Sequence, residues 1–441
     1  MPSDQTAIPL GGVLAALLDH RGRTPKKLGG DFTSNGVPVL SAKNIKDGHL
    51  VATEDIRYVS HEMYDRWMPE KLQVGDVLLT SEAPLGEALY LKDEANYCLG
   101  QRLFALRADP EKLDGRFLYY SLRSEGVQQR LHARATGTTA QGIRQSELVK
   151  VLLHLPPLPE QCAIGTILGT LDDKIDLNRR MNQTLEKMAQ ALFKSWFVDF
   201  DPVRAKAEGH EPAEIDAEVA ALFPNAVQES RLGDVPIGWR VGKVSDLCTT
   251  QYGYTASAND EPIGPKFLRV TDMNKQPWVE WNTVPYCSID EHAHDRYRLS
   301  LGDVLVSRMA DPGKAAIMEE DHLPAVFASY LIRLKTPTLS TAYYLFYFLR
   351  SAQYLDYVEA AKSGSVQANM NAQVITAAEL VIPPPAVIEA FAQAVAPLRR
   401  KIVANLRESG TLAATRDALL PKLLSGEVRV RKAEKLVAAV G

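Results

Sequence analysis

The chain is 441 residues long, 46% hydrophobic and 24% charged, which is enough apolar material for two or three packed domains. It has no run of eighteen apolar residues to cross a membrane, and residues 1–18 lack the basic start and cleavage site of a secretory leader, so a cytoplasmic protein is expected. A net charge of −4 argues against a non-specific nucleic-acid coat, and four scattered cysteines without a Cys-x-x-Cys pair fit free thiols, not a zinc site or disulfide framework.

In chain order, strand-like runs fall at 37–40, 76–80 and 102–106, followed by a helix-like stretch over 117–134 and an apolar run at 149–155. Pro156, Pro157 and Pro159 then punctuate the chain. From 160 to 197 a helical pattern follows, with Ile164, Leu168, Leu171, Ile175, Asn178, Asn182, Leu185, Ala189, Leu192 and Trp196 at alternating spacings of four and three. That is the seam of a coiled coil with a polar centre; an ordinary amphipathic helix lying on a globular domain is the alternative. Residues 201–235 carry eight acids and three bases and read as an acidic linker, which leaves the rest of the chain near neutral.

Beyond the linker the chain repeats itself. Val74-Gly75-Asp76-Val77-Leu78-Leu79 returns as Leu301-Gly302-Asp303-Val304-Leu305-Val306, a shift of 227 residues. The same shift carries Leu122-Arg123-Ser124 onto Leu349-Arg350-Ser351, Pro156-Pro157 onto Pro383-Pro384, Lys174-Ile175 onto Lys401-Ile402 and Asn178 onto Asn405. The second seam is Phe391, Val395, Leu398, Ile402, Asn405, Ser409, Leu412, Arg416, Leu419 and Leu423. A seam asparagine costs stability unless it is paired, and its common use is to fix register. With Asn178 and Asn405 equivalent, a pseudo-two-fold antiparallel pair is expected, with Ile175, Asn178 and Leu185 on one helix and Ile402, Asn405 and Leu412 on the other. The half of the chain ending near Asp201 should then pair with a second copy of itself.

The fold class expected is therefore α+β: two α/β domains at 1–158 and 235–386, joined by long antiparallel coiled-coil helices at 159–199 and 387–425. An acidic linker at 200–234 and a tail at 426–441 complete the division.

The run Leu171-Asp172-Asp173-Lys174-Ile175-Asp176-Leu177-Asn178-Arg179-Arg180 leads into Met188-Ala189-Gln190-Ala191-Leu192-Phe193-Lys194-Ser195-Trp196-Phe197-Val198-Asp199-Phe200-Asp201-Pro202. Together with Arg416-Asp417-Ala418-Leu419-Leu420-Pro421-Lys422-Leu423-Leu424-Ser425-Gly426, it resembles the specificity subunit of type I restriction-modification systems. The resemblance takes in nearly the whole chain, including its two-copy organisation. It implies that the globular parts are target-recognition domains and that the paired helices act as a ruler between them. It also implies a non-catalytic chain with double-stranded DNA, two methyltransferase subunits and restriction subunits as partners. S-adenosylmethionine, ATP and magnesium would then belong to those partners, and no cofactor to this chain. Arg416, at a seam position, is a departure.

The residues themselves carry no active-site pattern. Pro-Pro occurs only in Leu155-Pro156-Pro157-Leu158 and Ile382-Pro383-Pro384-Pro385, without the Asn/Asp-Pro-Pro-aromatic motif of an adenine methyltransferase. Pro312-Gly313-Lys314 lacks the upstream glycine and the hydroxyl of a phosphate-binding loop. Asp172-Asp173-Lys174 corresponds to Arg399-Arg400-Lys401 in the repeat and reads as a solvated helix face rather than a nuclease triplet. His292 and His294 read as part of an exposed loop and not as half of a metal site. A two-headed adaptor without DNA specificity and a solitary DNA-modifying enzyme are the alternatives.

Comparing the copies separates scaffold from tips. Ser41, Lys43 and Asn44 face Arg269, Thr271 and Asp272; Ser81 faces Arg308; Thr138, Thr139 and Gln141 face Ser365, Val366 and Ala368. With Arg144, Gln367, Asn369 and Asn371 nearby, these are side chains of the kind that read base edges in the major groove. The loops holding Arg23 and Thr24 in one copy and Tyr252, Tyr254 and Thr255 in the other, with Lys26 and Lys27 beside the first, suit phosphate contact. Because the tips differ, a bipartite and asymmetric DNA target is expected.

Overall fold

The repeated Gly-Asp-Val-Leu motif marks the same corner twice. In the computed structural model, which describes residues 6–51, 53–94, 96–137, 140–213, 215–273, 276–320, 322–363 and 370–438, the chain divides into two units. One comprises residues 1–176 with 411–441, and the other residues 177–410. Each contains a four-stranded antiparallel sheet. The strand order is Leu14–Asp19, Leu103–Ala108, Val77–Ser81, Leu85–Tyr90 in the first unit. In the second it is Thr249–Tyr252, Leu331–Lys335, Val304–Ser307, Ala315–Ile317. Val77 sits opposite Tyr90 and Val304 opposite Ile317, so the 227-residue shift holds through this pair of strands; the next strand over is offset by one residue, with Val77 opposite Leu106 and Val304 opposite Leu334.

The glycine of the motif takes φ +94° at Gly75 and +84° at Gly302, a turn closed to most side chains. The aspartate that follows is buried and fully engaged. Asp76 accepts from the Gln73 backbone N–H at 2.9 Å and from Nε and Nη2 of Arg107, each at 2.8 Å. Asp303 accepts from the Ser300 N–H at 2.8 Å and from Nη1 of Arg333 at 3.0 Å. A buried carboxylate must be paired, which is why the motif survives in both copies.

Leu-Arg-Ser repeats for a similar reason. The stretch expected as one helix over 117–134 is two, Gly115–Arg123 and Glu125–Ala133, with Ser124 extended between them (φ −68°, ψ 144°). Ser124 Oγ donates to the Ser121 carbonyl at 2.6 Å. Its equivalent, Ser351, lies in the break between Leu339–Phe348 and Ala352–Ser363, where its hydroxyl accepts from the Tyr354 N–H at 3.3 Å. Ser351 thus bonds the helix that follows and Ser124 the helix that precedes; either use of the hydroxyl competes with helix continuation and marks the break.

The long helices are Leu158–Phe197 and Pro385–Leu424, 40 residues each. In the first unit Ile164, Leu168 and Leu171 enter a core with Phe117, Leu118 and Tyr120, which Leu412, Leu419 and Leu423 complete. In the second unit Ala189, Phe193 and Trp196 pack with Phe391, Val395 and Tyr344. The helix ends thus serve as domain core, the alternative noted above, whereas the asparagines pair helix to helix. Asn178 Nδ2 donates to Glu408 at 2.9 Å and Ser409 at 3.3 Å, and Asn405 Nδ2 donates to Asn182 at 2.8 Å. Residue numbers rise on one helix as they fall on the other, so the pair is antiparallel.

Four expectations need correction. The regular seam slips after Asn182: Leu185 and Leu398 are only half-buried, and Glu186 and Arg399 occupy the buried positions beside them. The spacing from Asn178 through Asn182 to Glu186 is four and four, which rotates the buried stripe by part of a turn. Arg416 does not disturb its seam, because its Nη1 reaches Asp172 at 2.6 Å. The Asp172-Asp173-Lys174 triplet is not a solvated face either. Tyr120 donates to Asp172 at 2.5 Å and Lys92 lies 2.8 Å from Asp173, because the globular domain presents its polar side chains there. His292 and His294 lie on a short exposed helix, Glu291–Tyr297, whose N-terminus is capped by Asp290.

The acidic stretch is largely folded. It contains the helix Asp201–Ala207 and a hairpin of Val227–Ser230 with Gly233–Pro236, and it buries Val203, Phe223 and Val235 in the second unit's core. Its few apolar residues hold it down while its acids stay in water. Residues Val430–Ala438 of the tail form a further helix, with Ala433 buried in the first unit.

Candidate nucleic-acid interface

In the first unit, strand Leu14–Asp19 ends in a turn that delivers Arg23, Thr24 and Lys26 to one wall of a cleft of about 780 Å³. Strand Val37–Leu40 delivers Ser41, Lys43 and Asn44 to another wall, and Phe32, Arg57, Gln101 and Arg102 are among the other lining residues. Five lining residues are basic (Arg23, Lys26, Lys43, Arg57, Arg102) and two acidic (Asp31, Asp55), so the cleft favours an anion. Six of the residues singled out from sequence thus meet in one place.

They do not share one role. Asn44 is about 1% exposed, and its Oδ1 accepts from Ser41 N–H at 3.0 Å and Ser41 Oγ at 2.9 Å. The pair shapes the turn, which leaves Asn44 unable to reach a base. Lys43 is exposed beside Asp55 at 3.3 Å, a solvent-screened contact that a phosphate can displace. Arg23 is half-buried, donating Nη1 to the Trp67 carbonyl at 2.7 Å, while Lys26 is exposed. Lys27 lies outside the lining and donates to the Gly22 carbonyl at 2.8 Å.

Ser81 lies at the end of a wholly buried strand and is about 1% exposed, which keeps its hydroxyl away from the surface. Gln141 and Arg144 are exposed; Gln141 lies 3.2 Å from His132, and Arg144 precedes the helix Gln145–Leu148. Thr138 and Thr139 lie outside the described residues.

Sequence comparison missed Arg57, Phe32 and Arg102. The Arg57 guanidinium stacks over the Phe32 ring at 3.9 Å, and Arg102 sits in a left-handed turn (φ 65°) 2.9 Å from Glu82. An arginine held over an aromatic ring loses less freedom when it binds an acceptor. The only sequence signal was their basic or aromatic character in polar surroundings.

In the second unit Arg269 and Asp272 satisfy each other through two side-chain bonds, Nε–Oδ2 at 3.0 Å and Nη2–Oδ1 at 2.9 Å. They form a local turn lock and not a pair of readers, and Thr271 between them stays exposed. Tyr252 is exposed at the end of its strand, with Arg308 5.0 Å above its ring; its hydroxyl accepts from the Ala372 N–H at 3.1 Å. Tyr254 packs on Tyr297 at 5.3 Å and Thr255 is exposed. Asn371 caps the helix Ala372–Thr376 by accepting from the Val374 N–H at 2.9 Å. Ser365, Gln367 and Asn369 lie outside the described residues. The Arg308–Tyr252 contact of this unit differs in chemistry from the basic cleft of the first.

Among the described residues no group of three or more His, Cys, Asp or Glu is arranged to hold a metal, and no helix is long and apolar enough to cross a membrane.

Residues 2–187 match the family described as the type I restriction modification DNA specificity domain. The chain is 27% identical over 404 residues to the type I restriction enzyme HindI specificity subunit of Haemophilus influenzae, covering 81% of this chain and 87% of that one. It is 25% identical over 418 residues to the MjaIX specificity subunit of Methanocaldococcus jannaschii, covering 93% and 91% respectively. A solved type I restriction-modification S subunit from M. genitalium shares the fold, with a TM-score of 0.58 at 15% identity over 96% of both chains.

Proposed function

From the similarity of the chain to type I restriction-modification specificity subunits, we propose that it is such a subunit and that its two units each read one half of a bipartite, asymmetric DNA target. The observation that carries the reading is one scaffold, with the same sheet order in both units and one strand pair in matched register, bearing different chemistry at its tips. The first unit offers a cleft with five basic side chains, which suits backbone phosphates and guanine edges. The second offers an arginine stacked on a tyrosine. Identical readers would select a palindrome; unlike readers select unlike half-sites.

In this reading the subunit is cytoplasmic and non-catalytic. It directs two methyltransferase subunits, which bring S-adenosylmethionine, and restriction subunits, which bring ATP and magnesium. The long helices set the gap between half-sites: 40 residues span about 60 Å, the length of roughly two DNA turns.

The test is to map methylated motifs in cells carrying this gene with its methyltransferase partner, before and after deletion of the gene. Loss of one two-part motif supports the reading. Methylation by the purified chain alone, or no DNA affinity in the assembled complex, would overturn it.

A further inference from the structure

The 227-residue shift that preserves the scaffold inverts its charges at one contact. In the first unit Lys92, just past strand Leu85–Tyr90, reaches the first long helix, 2.8 Å from Asp173 and in contact with Asp176. The residue 227 positions on is Glu319, just past strand Ala315–Ile317. It reaches the second long helix and accepts from Nε of Arg399 at 2.9 Å. Arg399 is in turn the repeat equivalent of Asp172. Both copies therefore join globular domain to helix by an ion pair from the same domain position to neighbouring helix positions, with lysine-to-acid in one and acid-to-arginine in the other.

The contacts are not peripheral. Arg399 is about 1% exposed, and its Nη1 also binds Glu186 at 2.7 Å. The Lys92 and Asp176 side chains are 30% and 19% exposed. A buried charge facing one of its own sign loses solvation without compensation, which is among the costlier faults a fold can carry. The first domain set against the second helix would bring Lys92 to Arg400, the equivalent of Asp173, beside Arg399. The second domain set against the first helix would bring Glu319 to Asp172 and Asp173.

We propose that these inverted pairs key each recognition domain to its own helix, so that the two domains cannot exchange places within the chain or between two copies of it. The order of the half-sites is then written into the helix contacts and not only into the loops that face DNA. The keying is a property of the domain–helix joint and stands apart from the DNA reading.

The test is thermal unfolding of the full chain, comparing a neutral substitution with a reversed one at each position. Lys92→Glu should melt below Lys92→Gln by roughly 2–4 °C, because that pair is partly solvated. Glu319→Lys should melt below Glu319→Gln by about 5–10 °C, because that pair is buried. A full-length chimera with residues 7–157 in place of 235–384 sets the transplanted Lys92 against Arg400 and its neighbour Arg399. There Lys92→Glu should raise the melting temperature, the opposite of its effect in the native position. Neutral and reversed variants that melt alike in the native chain would overturn the proposal whether or not the chimera folds. A chimera that folds and gains nothing from Lys92→Glu would overturn it as well.

Discussion

Asn405 donates its side-chain amide to the Asn182 carbonyl oxygen at 2.8 Å, and neither side chain is more than 1% exposed. Replacing Asn405 with leucine strands a buried acceptor and should cost about 1–3 kcal/mol. Replacing both asparagines removes donor and acceptor together, so the double variant should cost clearly less than the sum of the singles. Chemical denaturation of the four proteins measures the coupling, and additive costs would count against a paired contact.

The cleft of the first unit separates phosphate contacts from shape. Lys26→Ala and Lys43→Ala should each lower the slope of log affinity against log salt by about 0.9 and weaken binding to all sequences evenly. Ser81→Ala, which alters a buried strand, should leave the slope unchanged. Salt titrations of DNA binding by the assembled complex read all three.

In the second unit, Arg308→Ala should relax one half-site by roughly 1–3 kcal/mol and leave the other intact. Thr271→Ala acts at an exposed tip and should also affect one half only. Methylation of a library randomised at both half-sites distinguishes this from a general loss. Equal damage to both halves would rule out two independent readers.

His20 is 7% exposed, and neither ring nitrogen has a hydrogen-bond partner. Burial, reinforced by the neighbouring charge of Arg23, holds its pKa below the ordinary 6.5. The unfolded chain therefore takes up this proton at a higher pH than the folded chain. The stability tied to neutral His20 is fully present above pH 6.5 and declines as pH falls toward the lowered folded value. His20→Phe should flatten that part of the acid limb in denaturant titrations at a series of pH values. An unchanged limb would place the sensitivity elsewhere.

Symmetry alone predicts that the half ending near Asp201 pairs with itself, but the helix chemistry argues otherwise. In the native pair Glu186 meets Arg399, whose equivalent on the first helix is Asp172. Two first helices laid antiparallel would set Glu186 against Asp172 twice. The half-chain should therefore pair weakly, and Glu186→Arg should tighten its dimer by roughly a factor of ten or more. Sedimentation of both halves tests this. A wild-type half that dimerises as tightly as the variant would show that the acids do not meet.

The scaffold was legible because backbone demands leave the same residues behind in both copies. Gly75 and Gly302 answer to one turn, Asp76 and Asp303 to one buried carboxylate site, and Ser124 and Ser351 to one helix break. The readers were only partly legible, because polarity does not fix direction. Asn44, Ser81, Arg269 and Asp272 are polar residues spent on local bonds or burial. The Val77–Ser81 strand is buried on both faces, so it has no alternation to reveal which side chain points out. The inverted ion pairs escaped because a search for repeated identities passes over positions that match by complementarity, as Lys92 and Glu319 do.

The first unit is assembled from the two ends of the chain. Leu412, Leu419, Leu423 and Ala433 close a core whose other residues run from Leu10 to Leu171, and Arg416 neutralises Asp172. During synthesis the domain made first must therefore wait, with part of its apolar surface uncovered, until residues 412–433 emerge. A premature stop near residue 410 would spare most of the second unit and injure the domain that was translated first.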